Sequence, residues 1–197
     1  MKKKGVATWI SAVLYFGLGI IILTIVLTSA MPVIKKVRDK NIALQSKEML
    51  VSLDSAIREV YKGVGSKRVL SIEVKKGKLY LLNSTISNKL ENLEDIQLPN
   101  KNLNGTLWQY KTTSILTEPG DCSNQQQDVP EVTEGNLHIR TCLSDVEGEY
   151  IIQIWTEYEN IVLTPSKPSI TGFEMLTVSN DGTTKTNNKI KISIKTS

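Results

Sequence analysis

The sequence predicts an α+β protein: a long N-terminal helix, transmembrane over its first half, followed by an antiparallel β-sheet or β-sandwich domain. Three observations predict it. Residues 6–34 form a run of 29 without a single charge, longer than the roughly 20 residues that cross a bilayer core. Apolar residues at helix-compatible spacings then continue to Val60. From residue 65 onward, short segments rich in β-branched and aromatic residues alternate with turn signals.

The helix is expected over residues 6–62, about 85 Å at about 1.5 Å per residue. Pro32 has no amide hydrogen to donate and is expected to kink it. Thr28 and Ser29, one turn earlier, are placed to satisfy the freed carbonyls. Above the apolar run, Ile34, Val37, Leu44, Leu53, Ile57 and Val60 are read as one stripe among Lys, Arg, Asp, Gln and Ser. Its upper half, Leu53, Ile57 and Val60, is expected to pack on the sheet. In "YKGVGSKR", Gly63 and Gly65 suit a left-handed helix end. The same glycines lack the third glycine and the strand-to-helix context of a dinucleotide loop.

Seven strands are expected in "RVLSIEV", "KLYLLN", "TLWQYKTTSIL", "NLHIRTCL", "EYIIQIWTEY", "ITGFEMLTV" and "KIKISIK", with no helix between them. "KKGK" around Gly77 and "SNDG" ending at Gly182 read as hairpin turns. In the last strand Ile190, Ile192 and Ile194 alternate with Lys189, Lys191 and Lys195. Such lysines mark an edge that resists aggregation. Trp9 belongs to the membrane segment, Trp108 and Trp155 to strands.

The formal charge is +4, but residues 1–40 carry +6 of it, leaving 41–197 at −2. The positive side chains sit on both sides of the apolar run, where lipid headgroups would lie, and a nucleic-acid partner has no support. By count alone, three cations precede the run and four follow it. The positive-inside rule therefore does not set the orientation. Large domains translocate largely regardless of charge, and the β-rich part is read as extracytoplasmic.

Cys122 and Cys142 are the only cysteines. A bridge between them closes a loop of about 20 residues, worth about 3 kcal/mol in the chain-entropy model, and pins the polar loop "EPGDCSNQQQDVPEVTEGN" to the sheet. Two unpaired thiols are the alternative. A metal site would need more ligands, and His138 is the only histidine. Asn83-Ser84-Thr85 and Asn104-Gly105-Thr106 are possible glycosylation sites near predicted turns.

No catalytic constellation is evident, no cofactor is implied, and the chain is not expected to be an enzyme. His138 stands alone; Glu147 with Glu149, and Glu157 with Glu159, read as solvated charges; Asp54 and Arg58 read as a surface i, i+4 pair.

"MKKKGVATWISAVLYFG" resembles the class III signal peptide of type IV pilins and of archaeal pilin-like and archaellin-like proteins. In that family a membrane peptidase cuts after the glycine and the apolar helix is kept. The resemblance implies recognition at Lys3, Lys4 and Gly5, with Val6 as the new amino terminus. Bacterial type IV pilins carry a glutamate at the fifth processed residue, where this chain has Ile10. Archaeal relatives dispense with it more readily. Two other readings stay open: a secretory signal removed at Thr28-Ser29-Ala30, for which the run is long against about 7–15 residues, and a plain signal anchor.

The expected organisation is a basic leader over 1–5, a transmembrane or filament-core helix over 6–34, an amphipathic extension over 35–64 and an extracytoplasmic β-rich domain over 65–197. The expected function is that of a pilin-like structural subunit, single-pass with its amino terminus cytoplasmic, assembling through the helix into a surface filament. Its expected partners are the membrane, other copies or related pilin subunits, and a prepilin peptidase. Small residues Ala12, Gly17 and Gly19 would permit close helix packing. The alternative is a monomeric membrane-anchored module whose β-domain binds a carbohydrate or protein.

Overall fold

The structure is a computed structural model; it describes residues 4–90, 96–122, 130–183 and 189–196, with residues 4–8 and 88–90 described by backbone only. It is an α+β chain with a 58-residue helix α1 (Lys4–Tyr61) ahead of a mixed sheet. Two compact units are present, Met1–Arg38 and Asp39–Ser197. The amphipathic extension thus belongs with the β-rich part, four residues later than the boundary expected after residue 34.

In the second unit, Leu50, Leu53, Ile57 and Val60 are fully buried against one face of the sheet, with Ala43 and Met49 packed alongside. Leu44 does not join them. Nine residues separate it from Leu53, which at about 100° per residue is two and a half turns, so it faces the other way. Ile34 and Val37, in the first unit, are also exposed. The single stripe expected from residue 34 is therefore corrected to one that begins at Asp39. That carboxylate is buried and accepts hydrogen bonds from Thr112 Oγ1 and Tyr110 Oη.

Gly65 has φ +80° in the turn over residues 63–66 that follows α1, where the Ser66 amide donates to the Gly63 carbonyl, whereas Gly63, nearer the helix end, does not take the left-handed conformation. The last carbonyls of α1 find a distant donor that the sequence did not announce. Asn180 Nδ2 lies 3.1 Å from the Val60 oxygen and 3.3 Å from that of Tyr61, satisfying groups that every helix end leaves open.

Among the described residues the sheet has nine strands, against about seven expected: β1 (Lys67–Leu82), β2 (Gly105–Thr112), β3 (Pro119–Gly120), β4 (Glu131–Glu134), β5 (Leu137–Leu143), β6 (Tyr150–Glu157), β7 (Ile161–Pro165), β8 (Ser169–Thr183) and β9 (Ile190–Thr196). The order is β3-β5-β6-β2-β1-β8-β9-β7, with β4 also pairing β5. Most neighbours are antiparallel, but β3 with β5 and β7 with β9 are parallel. A short helix α2 (Ser84–Leu90) interrupts the run of strands, capped by Asn83, whose Oδ1 accepts from the Ile86 amide at 2.9 Å.

Gly77 does not turn a hairpin; β1 continues through it with an irregularity. Its φ is +79°, and a Cβ there would stand 2.4 Å from the Gln109 carbonyl oxygen. The glycine instead marks a register shift between Val74 and Leu79, so that residues 67–74 pair only with β8 while residues 78–82 pair with β2, Leu79 and Tyr80 keeping β8 on their other side. At the second expected turn, β8 continues to Thr183 with a shift between Asn180 and Thr183. The connection to β9 falls at 184–188, outside the described residues. Nor is β9 an edge: β7, unforeseen because "IVLTP" is short and ends in proline, lies beyond it. Ile192 and Ile194 are buried as expected, and Lys195 is exposed.

The face of the sheet toward α1 contributes Ile72, Leu79, Trp108, Ile154, Leu176 and Ile194 to one core. On the other face Tyr80, Leu82, Leu107 and Trp155 are covered by Ile86 of α2 and by Ile96, Leu98 and Leu103. Both strand tryptophans are core residues.

Candidate membrane and assembly segment

Within the first unit, residues 9–34 of α1 present a surface that is apolar on every side. Trp9 is 78% exposed, and Val13, Phe16, Ile21, Ile25 and Met31 are exposed around the circumference. A helix that is apolar all round is stable only where something apolar surrounds it. Its hydroxyls fit such surroundings. Thr24 Oγ1 donates to the Ile20 carbonyl at 2.8 Å, Thr28 Oγ1 to that of Thr24 at 2.9 Å, and Ser29 Oγ to that of Ile25 at 2.8 Å. These three hydroxyls are thereby satisfied inside the helix, as a hydrocarbon environment demands. These bonds correct the expected role of Thr28 and Ser29 beside Pro32. Thr28 and Ser29 do not serve the carbonyl that lost its partner to the proline, and α1 continues through Pro32.

The segment is long and apolar enough to cross a membrane. Gly17 and Gly19 have open space where a Cβ would stand. Of the leader positions, Lys3 lies outside the described residues, and Lys4, Gly5 and Val6 are described only as helical backbone.

In the second unit the chemistry-bearing residues separate rather than converge. Cys122 and Cys142 form a disulfide with a Cα–Cα distance of 5.5 Å, buried with Ile151. It ties the chain next to β3 to β5, where Gly120 and Cys142 are register partners. His138 stacks on Trp155, with ring centroids 5.3 Å apart, and its Nδ1 meets Glu131 on β4. Glu147 and Glu149 lie in the connection before β6 rather than on a strand, while Glu157 ends β6 and accepts from Trp155 Nε1 at 3.2 Å. No group of three or more His, Cys, Asp or Glu able to hold a metal occurs among the described residues.

Asp54 and Arg58 are not a plain surface pair. Arg58 Nε reaches the two Asp54 oxygens at 3.0 and 2.8 Å, and Asp54 is buried. The hydrogen bond to Asp54 holds the Arg58 guanidinium above its ordinary range against the opposing effect of burial. Arg58 also lies over the Tyr158 ring, 5.7 Å from its centroid. Burial, followed by the Asp54 charge, pushes the Tyr158 phenol up.

A polar row with a buried centre, Arg140, Gln153 and Gln109, and exposed ends, Glu131 and Lys78, escaped sequence reasoning. Glu131, Arg140, Gln153, Gln109 and Lys78 stand opposite one another across β4, β5, β6, β2 and β1. Arg140 Nε donates to Gln153 Oε1 at 2.7 Å, and Gln153 Nε2 donates to Gln109 Oε1 at 2.7 Å. Burial brings the Arg140 guanidinium down to about 10 despite the nearby Glu131 charge. Nothing in "NLHIRTCL" distinguishes an inward arginine from a solvated one. Its cross-strand partners, which decide the matter, lie on other strands.

Comparison with known proteins gives no match: no protein family, no curated protein and no solved structure aligns significantly with the chain.

Proposed function

We propose that this chain is a pilin-like structural subunit, held in the membrane by the first half of α1 and assembling through that half into a surface filament. One observation carries the reading: residues 9–34 of α1 expose apolar side chains on all sides, whereas within the β-rich unit α1 buries one stripe from Asp39 to Val60. Lipid covers such a surface in a free subunit. In a filament the same surface trades lipid for neighbouring helices, with contact closest at Ala12, Gly17 and Gly19. The basic leader and Gly5 are assigned to a prepilin peptidase that leaves Val6 as the amino terminus. The β-rich unit then lies outside the cell, in keeping with its disulfide.

Intact-mass measurement of the membrane-extracted protein tests the processing. The expected chain begins at Val6. A chain beginning at Met1 supports the alternative of a monomeric anchored binding module, and one beginning at Met31 removes the helix and with it the proposal. Electron microscopy of cell surfaces tests assembly: filaments are expected with the wild-type chain and absent with Gly5→Val.

A further inference from the structure

We infer that the two glycosylation sequons are not equivalent: Asn83 accepts an N-linked glycan on the folded protein, and Asn104 does not. The difference lies in how each amide nitrogen is used. Asn104 Nδ2 donates to two carbonyl oxygens, those of Tyr158 and Ile161, so both its protons are committed. Asn83 Nδ2 donates to one, the Leu163 oxygen at 2.8 Å, while its Oδ1 caps α2.

Transfer of a glycan consumes one amide proton. The Asn83 nitrogen attacks C1 of a sugar carried on a polyprenyl diphosphate. The N–C1 bond forms as the C1–O bond breaks, the diphosphate leaves with the electron pair, and one proton passes to a base of the transferase. The product keeps one N–H, enough for Leu163, and keeps its carbonyl oxygen for the cap. At Asn104 the same step destroys a hydrogen bond that holds residues 158–161 to the start of β2.

The hydroxyl residue of each sequon points the same way. Thr85 is exposed, as a transferase requires, whereas Thr106 is fully buried and its Oγ1 lies 2.8 Å from Thr156 Oγ1. Gly105 adds to the enclosure, since a Cβ there would stand 1.8 Å from the Thr156 oxygen. A cavity of about 420 Å³ is lined by both sequon asparagines, Asn83 and Asn104, with Ser84, Thr85, Asn102 and Glu159, so the two differ in how their amides and hydroxyls are bonded and not in access to this space. Its hydroxyl, amide and carboxylate groups suit the first sugar's hydroxyls.

This inference rests on the extracytoplasmic reading only for its setting in the cell, so the test is made in solution. The full chain, folded in detergent, is incubated with an oligosaccharyltransferase of N-x-S/T specificity and a polyprenyl-diphosphate glycan, beside a sample unfolded in urea and diluted directly into the reaction. Peptide mass mapping then reads the occupancy of each site. The expected result is glycan at Asn83 and none at Asn104 in the folded chain, both sites modified in the unfolded chain, and complete loss from the folded chain with Asn83→Gln. Glycan at Asn104 of the folded chain, or a bare Asn83, overturns the inference. Glycan transfer in vitro without any in cells counts instead against the extracytoplasmic placement.

Discussion

Leu53→Ala and Leu44→Ala make the same chemical change nine residues apart on α1, and the structure predicts opposite outcomes for stability. Leu53 is 0% exposed and Leu44 is 46% exposed. Truncating Leu53 removes three carbons from a closed core, a transfer loss of about 2.4 kcal/mol at about 0.8 kcal/mol per methylene. The cavity left behind adds to this, for a total of about 3–4 kcal/mol. Leu44→Ala is expected to stay within about 0.5 kcal/mol, as surface substitutions do. For a domain of this size the first change lowers the melting temperature by about 6–16 °C. Urea titration of the full chain in nonionic detergent, followed by the fluorescence of the buried Trp108 and Trp155, measures both. Equal shifts in midpoint, or a larger one for Leu44→Ala, would refute the assignment of the buried face.

Replacing Cys122 and Cys142 together by serine is expected to cost about 3 kcal/mol in the same titration, and a reducing agent should bring the wild-type chain to the same midpoint while leaving the variant unmoved. Tyr158 supplies a test by pH. Its phenol is raised above the ordinary 10.0, so its contribution is complete below pH 10 and declines as pH rises beyond it, because the unfolded chain ionises while the folded one resists. The decline is at most about 1.4 kcal/mol per pH unit. Tyr158→Phe should remove that part of the alkaline loss; parallel curves for the two proteins would show that the phenol does not contribute.

The sequence made the helix plain because 29 uncharged residues followed by regular apolar spacing leave little else for the chain to form. Which face of its upper half is buried was less plain, since Leu44 and Leu53 look alike until their half-turn offset is weighed against a sheet. Gly77 carries a turn signal, yet the close approach of the Gln109 carbonyl makes it a bend within one strand. The segment "NSTISNKL" shows a sequon before it shows a capped helix, and only the bond from Ile86 to Asn83 separates the two roles. The disulfide could be anticipated because two cysteines allow one pairing. Arg140 and Asn180 could not, because their partners lie on remote strands.

The division of β1 between two neighbours has a consequence for when this protein can fold. Residues 67–74 find their ladder only in β8, and α1 receives its closing hydrogen bonds from Asn180. Both partners are made about 100 residues or more after the segments they complete. Contacts so distant along the chain form slowly. Nascent chains therefore leave the ribosome with the sheet incomplete until nearly the last strand has been synthesised.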